Sequence, residues 1–267
     1  MDNNTPAKIE QAFRKMVGNV NPYMCLVDVA VKEMIKNHKK QDIHLKAKEH
    51  GYPNIITKHI NLPYLSQLVH ISHLFYIQSA VEVATKNLLK LQKGSSQECK
   101  DGSFFDIAIH RINQKKHNHS KKNLKCSKQL TQSYVGIEET LIIDYYRLIR
   151  NEASHGSTEF SKSKNYFDTT FNETNLNIIK NKFGFVPNKA NNLTENDVYL
   201  SSVVWQYCIK QLAKKCIDIK GYIMPILIKK HKNHTLKRKQ SSIKHSLKLE
   251  YLLSDKEIDD IIISMVN

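Results

Sequence analysis

The sequence predicts an all-α protein: an antiparallel helical bundle with an N-terminal helical extension and a basic C-terminal tail. Three observations predict it. Gly (8) and Pro (6) are scarce in a chain of 267 residues, so helix breakers are few. Apolar residues recur at spacings of three and four through long stretches. No stretch alternates apolar and polar residues as a half-buried strand does.

The elements follow in order. Ile9, Phe13, Met16 and Val17 mark a first helical face. Asn21-Pro22 is expected to interrupt it before Met24, Val27, Val31, Met34 and Ile35 resume it, out to about residue 37. His38 to Ile60 is polar, contains Gly51 and Pro53, and reads as a connection. Leu62-Pro63 opens the strongest helix of the first half, with Leu65, Leu68, Phe75, Val83 and Leu89 on one broad apolar face and a stop near Lys93-Gly94. A Ser/Gly-containing loop follows, then a short helix at Phe104–Ile112 and a Lys/His/Asn-rich run to Lys128. Leu130 to His155 reads as a single helix on Tyr134, Ile137, Leu141, Ile142, Tyr145 and Leu148, closed by a C′ glycine at Gly156. Residues 157–195 read as a loop with short elements, or a flap. Thr194 is placed to cap a last core helix running from Val198 to about Ile219, with acids in its first turn. From Lys229 to Lys248 there are eight Lys/Arg and no acid, read as an extended or weakly helical tail ahead of a terminal amphipathic helix at Leu249–Met265. The domain division expected is 1–60, 61–225 and 226–267.

Composition narrows the function classes. The net charge of +16 favours a polyanionic partner, and nucleic acid is the commonest one. No run of about 18 apolar residues is present and Met1 to Ile9 lacks the apolar core of a secretory signal, so a cytoplasmic protein without a membrane partner is expected. Five scattered cysteines without a CxxC pair fit a reducing compartment. Phosphate-binding GxGxxG and GxxxxGK[ST] loops are missing.

The specific segment is Tyr146-Arg147-Leu148-Ile149-Arg150-Asn151-Glu152-Ala153-Ser154-His155-Gly156. Metal-free RNA cleavage needs a base for the 2′-OH, an acid for the 5′-oxygen and fixed positive charge on the phosphate. Histidine, with an unperturbed pKa of ~6.5, suits the proton transfers. Arginine stays charged and donates bidentate hydrogen bonds to phosphate. Asn151 can orient either one through its amide. In a regular helix Asn151 and His155 share a face, while Arg150 lies about 140° from His155 at ~3.6 residues per turn. Either the helix ends or bends here, or a second subunit completes the site.

The Arg150-Asn151…His155 pattern resembles the R-x(4–6)-H signature of the HEPN superfamily, in which a polar residue follows the arginine. The segment Phe75–Leu89 resembles that family's first core helix, where an acidic residue and a lysine one turn later face the active site; Glu82 and Lys86 have that spacing. The likeness spans residues 62–220. It implies a HEPN-like four-helix core and a metal-independent endoribonuclease with Arg150, Asn151 and His155 as the catalytic set and no cofactor. It further implies a homodimer with a composite site, tRNA or mRNA as substrate, a toxin or antiphage defence role, and an antitoxin or regulatory protein as a second partner. Expected backbone contacts are Lys115, Lys116, Lys121 and Lys122 in the basic loop and Lys237, Arg238 and Lys239 in the tail, with Tyr146 or Tyr166 stacking on a base. The alternative reading is a non-catalytic module of the same fold that binds RNA or protein.

Other histidines carry less. His117-Asn118-His119 lacks the strand hairpin of an HNH nuclease. His110, His117, His119 and Cys126 match no closed zinc spacing, so no metal is expected there. His70 and His73, three apart on a helix, read as partly buried polar residues rather than ligands.

Overall fold

Helix makes up 83% of the computed structural model, and no strand occurs among the described residues. Those residues are 5–52, 61–92, 103–117, 128–156 and 159–266. The all-α expectation holds. The described residues form twelve α-helices.

Helix α1 (Pro6–Asn37) passes through Pro22 without a break, against the interruption expected there. A proline ring meets the carbonyl four residues back, which here belongs to Gly18. Gly18 has open space around it, so that turn has room to tilt aside. The polar connection that follows holds a helix of its own, α2 (Lys40–Glu49), started by Asp42, whose carboxylate accepts the Lys39 N–H at 3.0 Å. Helix α3 (Leu62–Leu91) lies where its apolar face predicts. Helix α4 (Phe104–His117) is longer than expected and opens on a Ser103–Asp106 box, with the Ser103 hydroxyl donating to Asp106 at 2.7 Å and accepting the Asp106 N–H at 3.3 Å.

The single helix expected over 130–155 is two: α5 (Lys128–Val135) and α6 (Ile137–Ser154), parted by Gly136 at φ +116°. The fully buried Glu139 side chain folds back over Gly136, and a Cβ added there would lie 2.1 Å from a Glu139 carboxylate oxygen. Gly136→Ala is therefore expected to lower stability by about 1–3 kcal/mol, the range for a strained backbone, read from the urea midpoint. A change below about 0.5 kcal/mol would show that the junction can relax.

Of the two readings of residues 157–195, the loop with short elements fits the described part from 159 on, which holds α7 (Ser161–Thr170) and α8 (Glu173–Phe183). α8 carries its own signals: the Asn172 side chain accepts the Asn175 N–H at 2.9 Å, and Gly184 closes it at φ +80°. Helix α9 (Glu195–Lys215) is followed by a π turn (Ile219–Ile223) and α10 (Met224–Lys230). The basic stretch, expected to be extended or weakly helical, is a packed helix, α11 (Leu236–Tyr251), which lies against α10 and α12 (Asp255–Val266). Ile243 and Leu247, four apart, bury one stripe with Met224, Leu227, Leu253 and Ile258. The missing acids come from α12: Lys244 pairs with Asp259 at 2.7 Å and Lys248 with Asp255 at 2.9 Å.

The chain divides into two units. One comprises Met1–Met16, Ser79–Thr140 and Val204–Asn267; the other comprises Val17–Gln78 and Leu141–Val203. In the first, Phe105 meets Trp205 edge to face with ring centroids 5.1 Å apart, and Phe13, Leu88 and Ile209 are also fully buried. In the second, Tyr145 is the centre of an aromatic group with Tyr146, Tyr166, Phe167 and Phe171, and Ile142 and Ile149 are fully buried.

Candidate active site

The end of α6 is fixed from inside. Ile142, Tyr145, Tyr146 and Ile149 bury its inner stripe; Asn151, Ser154 and His155 are exposed, while Glu152 stays buried. Tyr146 donates its hydroxyl to Asp197 of α9 at 2.9 Å. Asp197 is fully buried and also accepts the Asn188 N–H (2.8 Å), the Asn188 side-chain amide (2.9 Å) and the Thr194 N–H (2.8 Å). Burial, with the Asp197 carboxylate beside it, raises the Tyr146 hydroxyl pKa well above the usual tyrosine range, so the group stays a donor.

α6 ends inside the motif. The His155 N–H still bonds back to the Asn151 and Glu152 carbonyls at 3.3 and 3.2 Å, but Gly156 turns the chain away at φ +74°. Arg150 reaches sideways to its neighbour: its Nε and Nη2 both donate to the Asn151 side-chain oxygen, at 3.2 and 2.8 Å. The arginine fork thus donates twice to one uncharged acceptor. Asn151 and His155 are both exposed, one turn apart. The result is an accessible surface with a guanidinium, an amide and an imidazole at one helix end.

Glu152, between them, does structural work. It is buried, and its two oxygens accept the Lys162 and Ser163 N–H groups at 2.9 and 2.8 Å. These are orphan donors of the first turn of α7, so α6 caps the next helix. Burial pushes the Glu152 carboxyl up, but the hydrogen bonds from Ser163 and Lys162 outweigh it and hold its pKa below the usual 4.5. Because the folded pKa is depressed, this stabilisation is present above pH 4.5 and is lost as pH falls through the lower, folded value. Urea midpoints measured across that window are expected to fall with acid in wild type and to fall less steeply in Glu152→Gln. Parallel curves would remove Glu152 from the acid response.

The other predicted residues are scattered. Glu82 is half-buried and Lys86 exposed on α3, in the first unit, and Lys86 Nζ stands 4.4 Å from the Phe104 ring centroid. Tyr146 is corrected: it is 4% exposed with its hydroxyl committed to Asp197, so its ring cannot stack on a base. Tyr166 is half-buried in the aromatic group. Lys115 and Lys116 fall on the last turn of α4, where side chains are outside the described set, and Lys121 and Lys122 lie outside the described residues altogether. Lys237 and Arg238 are exposed and Lys239 half-buried on α11. His110 is buried on α4; His119 and Cys126 lie outside the described residues.

Sequence reasoning missed Asp197 and Glu152 as the groups that set the motif in place. Thr194-Glu195-Asn196-Asp197 was visible as a helix start, and Asp197 three residues after Thr194 is the local signal. It also missed a grouping of Asp28, His70 and Glu195, whose ligand-type atoms lie within 4.8 Å of one another. Comparison of the chain with protein families, curated proteins and solved structures finds no match.

Proposed function

We propose that this protein is a metal-independent endoribonuclease of the HEPN type, acting on tRNA or mRNA as a toxin or defence effector. The observation that carries the reading is the Arg150–Asn151 pairing at an exposed helix end, with His155 exposed one turn on. The net charge of +16 supports a polyanionic substrate.

In this reading Arg150, braced by Asn151, binds the scissile phosphate and neutralises charge as it builds there. A base removes the 2′-OH proton, the 2′-oxygen forms a bond to phosphorus, the bond from phosphorus to the 5′-oxygen breaks, and an acid protonates that leaving oxygen. His155 serves one of these proton transfers. A second copy of the motif, in a homodimer, supplies a group for the other. The products are a 2′,3′-cyclic phosphate and a 5′-OH, with no water or metal consumed.

The test incubates purified wild type and His155→Ala with total RNA in EDTA, with folding checked by circular dichroism. Wild type is expected to cleave and His155→Ala to be inert. Equal cleavage by both overturns the assignment of His155. Loss of cleavage when EDTA is added to protein that stays folded overturns the metal-free mechanism.

A further inference from the structure

We propose that Asp28, His70 and Glu195 form a binding site for a divalent transition metal, with Zn²⁺ the best fit. Three helices bring the residues together: α1 carries Asp28, α3 carries His70, and Glu195 is the first residue of α9. All three belong to the second unit.

Two buried side chains lack partners at ring or carboxylate atoms. His70 is 4% exposed, and neither of its ring nitrogens has a hydrogen-bond partner. Asp28 is 7% exposed; one carboxylate oxygen, Oδ2, is 2.6 Å from the Lys32 ammonium, and the other, Oδ1, has no hydrogen-bond partner. Buried polar atoms without partners are costly, and such atoms in a folded protein call for a ligand. The unpartnered His70 Nε2 and Asp28 Oδ1 face each other at 3.5 Å. That is too far for a good hydrogen bond. It matches the separation of about 3.3 Å between two ligands of a tetrahedral Zn²⁺ with bonds of ~2.0–2.1 Å.

Glu195 completes the set from the solvent side. Its carboxylate is about half exposed, so it can swing inward by the small distance needed and gives the ion an entry path. One imidazole with two carboxylates selects a borderline metal over Mg²⁺ or Ca²⁺, which prefer all-oxygen shells. Three protein ligands leave a fourth position for water. Lys32 is the competing cation: its Nζ sits 2.6 Å from Asp28 and 3.6 Å from Glu195, holding the two carboxylates together in place of the metal. Binding of Zn²⁺ displaces it into solvent, which its half-exposed side chain permits.

The test uses the full chain, stripped of metal and titrated calorimetrically with Zn²⁺, Mn²⁺ and Mg²⁺ in turn. The expected result is one Zn²⁺ per chain, weaker Mn²⁺ and no Mg²⁺ at matched concentration. Glu195→Gln and Lys32→Met alter exposed side chains and are expected to fold. Glu195→Gln is expected to weaken Zn²⁺ by at least about tenfold, the loss that removing even an outer partner of a ligand produces. Lys32→Met is expected to tighten it. His70→Gln, if folded by circular dichroism, is expected to abolish it. Zn²⁺ binding unchanged in Glu195→Gln and Lys32→Met, as from surface histidines elsewhere, overturns the site, and so does the absence of Zn²⁺ binding in wild type. The readout is metal occupancy rather than RNA cleavage, so this site and the proposed nuclease activity can fail independently.

Discussion

Asp197→Ala is expected to destabilise the second unit on the order of 3–5 kcal/mol, measured by urea unfolding followed by circular dichroism. The carboxylate is the common acceptor for five donors: the Tyr146 hydroxyl, the Asn188 N–H and side-chain amide, and the Thr194 N–H and hydroxyl. Removing it strands several buried donors at once, each worth about 1–3 kcal/mol when left unmade. Some will find water, because Asn188 and Thr194 are only part-buried, so the sum is discounted to the stated range. Tyr146→Phe removes one of the five and is expected to cost only about 0.5–1.5 kcal/mol. A loss below about 1 kcal/mol in Asp197→Ala would mean that the loop reorganises freely and that the carboxylate does not organise it.

His155→Ala is expected to lower the rate of RNA cleavage by roughly 10²–10⁴, the usual contribution of a positioned acid or base. Arg150→Ala is expected to lower it by a further comparable class of effect, about 10²–10³, by removing fixed charge from the phosphate. Arg150→Lys is the informative comparison. Lysine keeps the charge but not the fork that donates twice to Asn151, so a side chain that works only as a point charge would retain activity, and one that works through geometry would not. We expect Arg150→Lys to behave like Arg150→Ala. The initial rate on a defined RNA at saturating and limiting substrate separates the two, since a residue acting on the transition state lowers kcat as well as kcat/KM. Full retention of kcat in Arg150→Lys would reduce Arg150 to electrostatic attraction.

The sequence carried the long helices well and the junctions poorly. α3 was legible because its apolar positions repeat over thirty residues. The break at Gly136 was read through because Tyr134 and Ile137 continue the apolar spacing across it. α7 was hidden for a different reason: its first-turn N–H groups are capped by Glu152 from another helix, and its own N-cap is Phe160 in a left-handed conformation. No local pattern announces a cap supplied at a distance. α8 was legible in retrospect, since Asn172 and Gly184 are ordinary cap residues. In α11 the lysines masked the Ile243–Leu247 stripe, and their acidic partners lie beyond the segment in α12.

Of the candidate active site, the motif itself and its helix-end position were readable, and the bracing of Arg150 by Asn151 followed from adjacency. The base-stacking role of Tyr146 failed because apolar periodicity does not say which of two adjacent tyrosines turns inward; both do, Tyr146 toward Asp197. The Asp28–His70–Glu195 grouping was invisible because its members are brought together only by the packing of three helices.

Residues 184–194, between α8 and α9, form no helix, and a segment of that kind ordinarily opens by itself, ahead of the elements it joins. Here the Asn188 and Thr194 amides end on a buried acceptor that also holds Tyr146, so the segment cannot open without releasing the interior of α6. Opening of this segment is thereby coupled to the packing of α6, whose last turns carry Arg150.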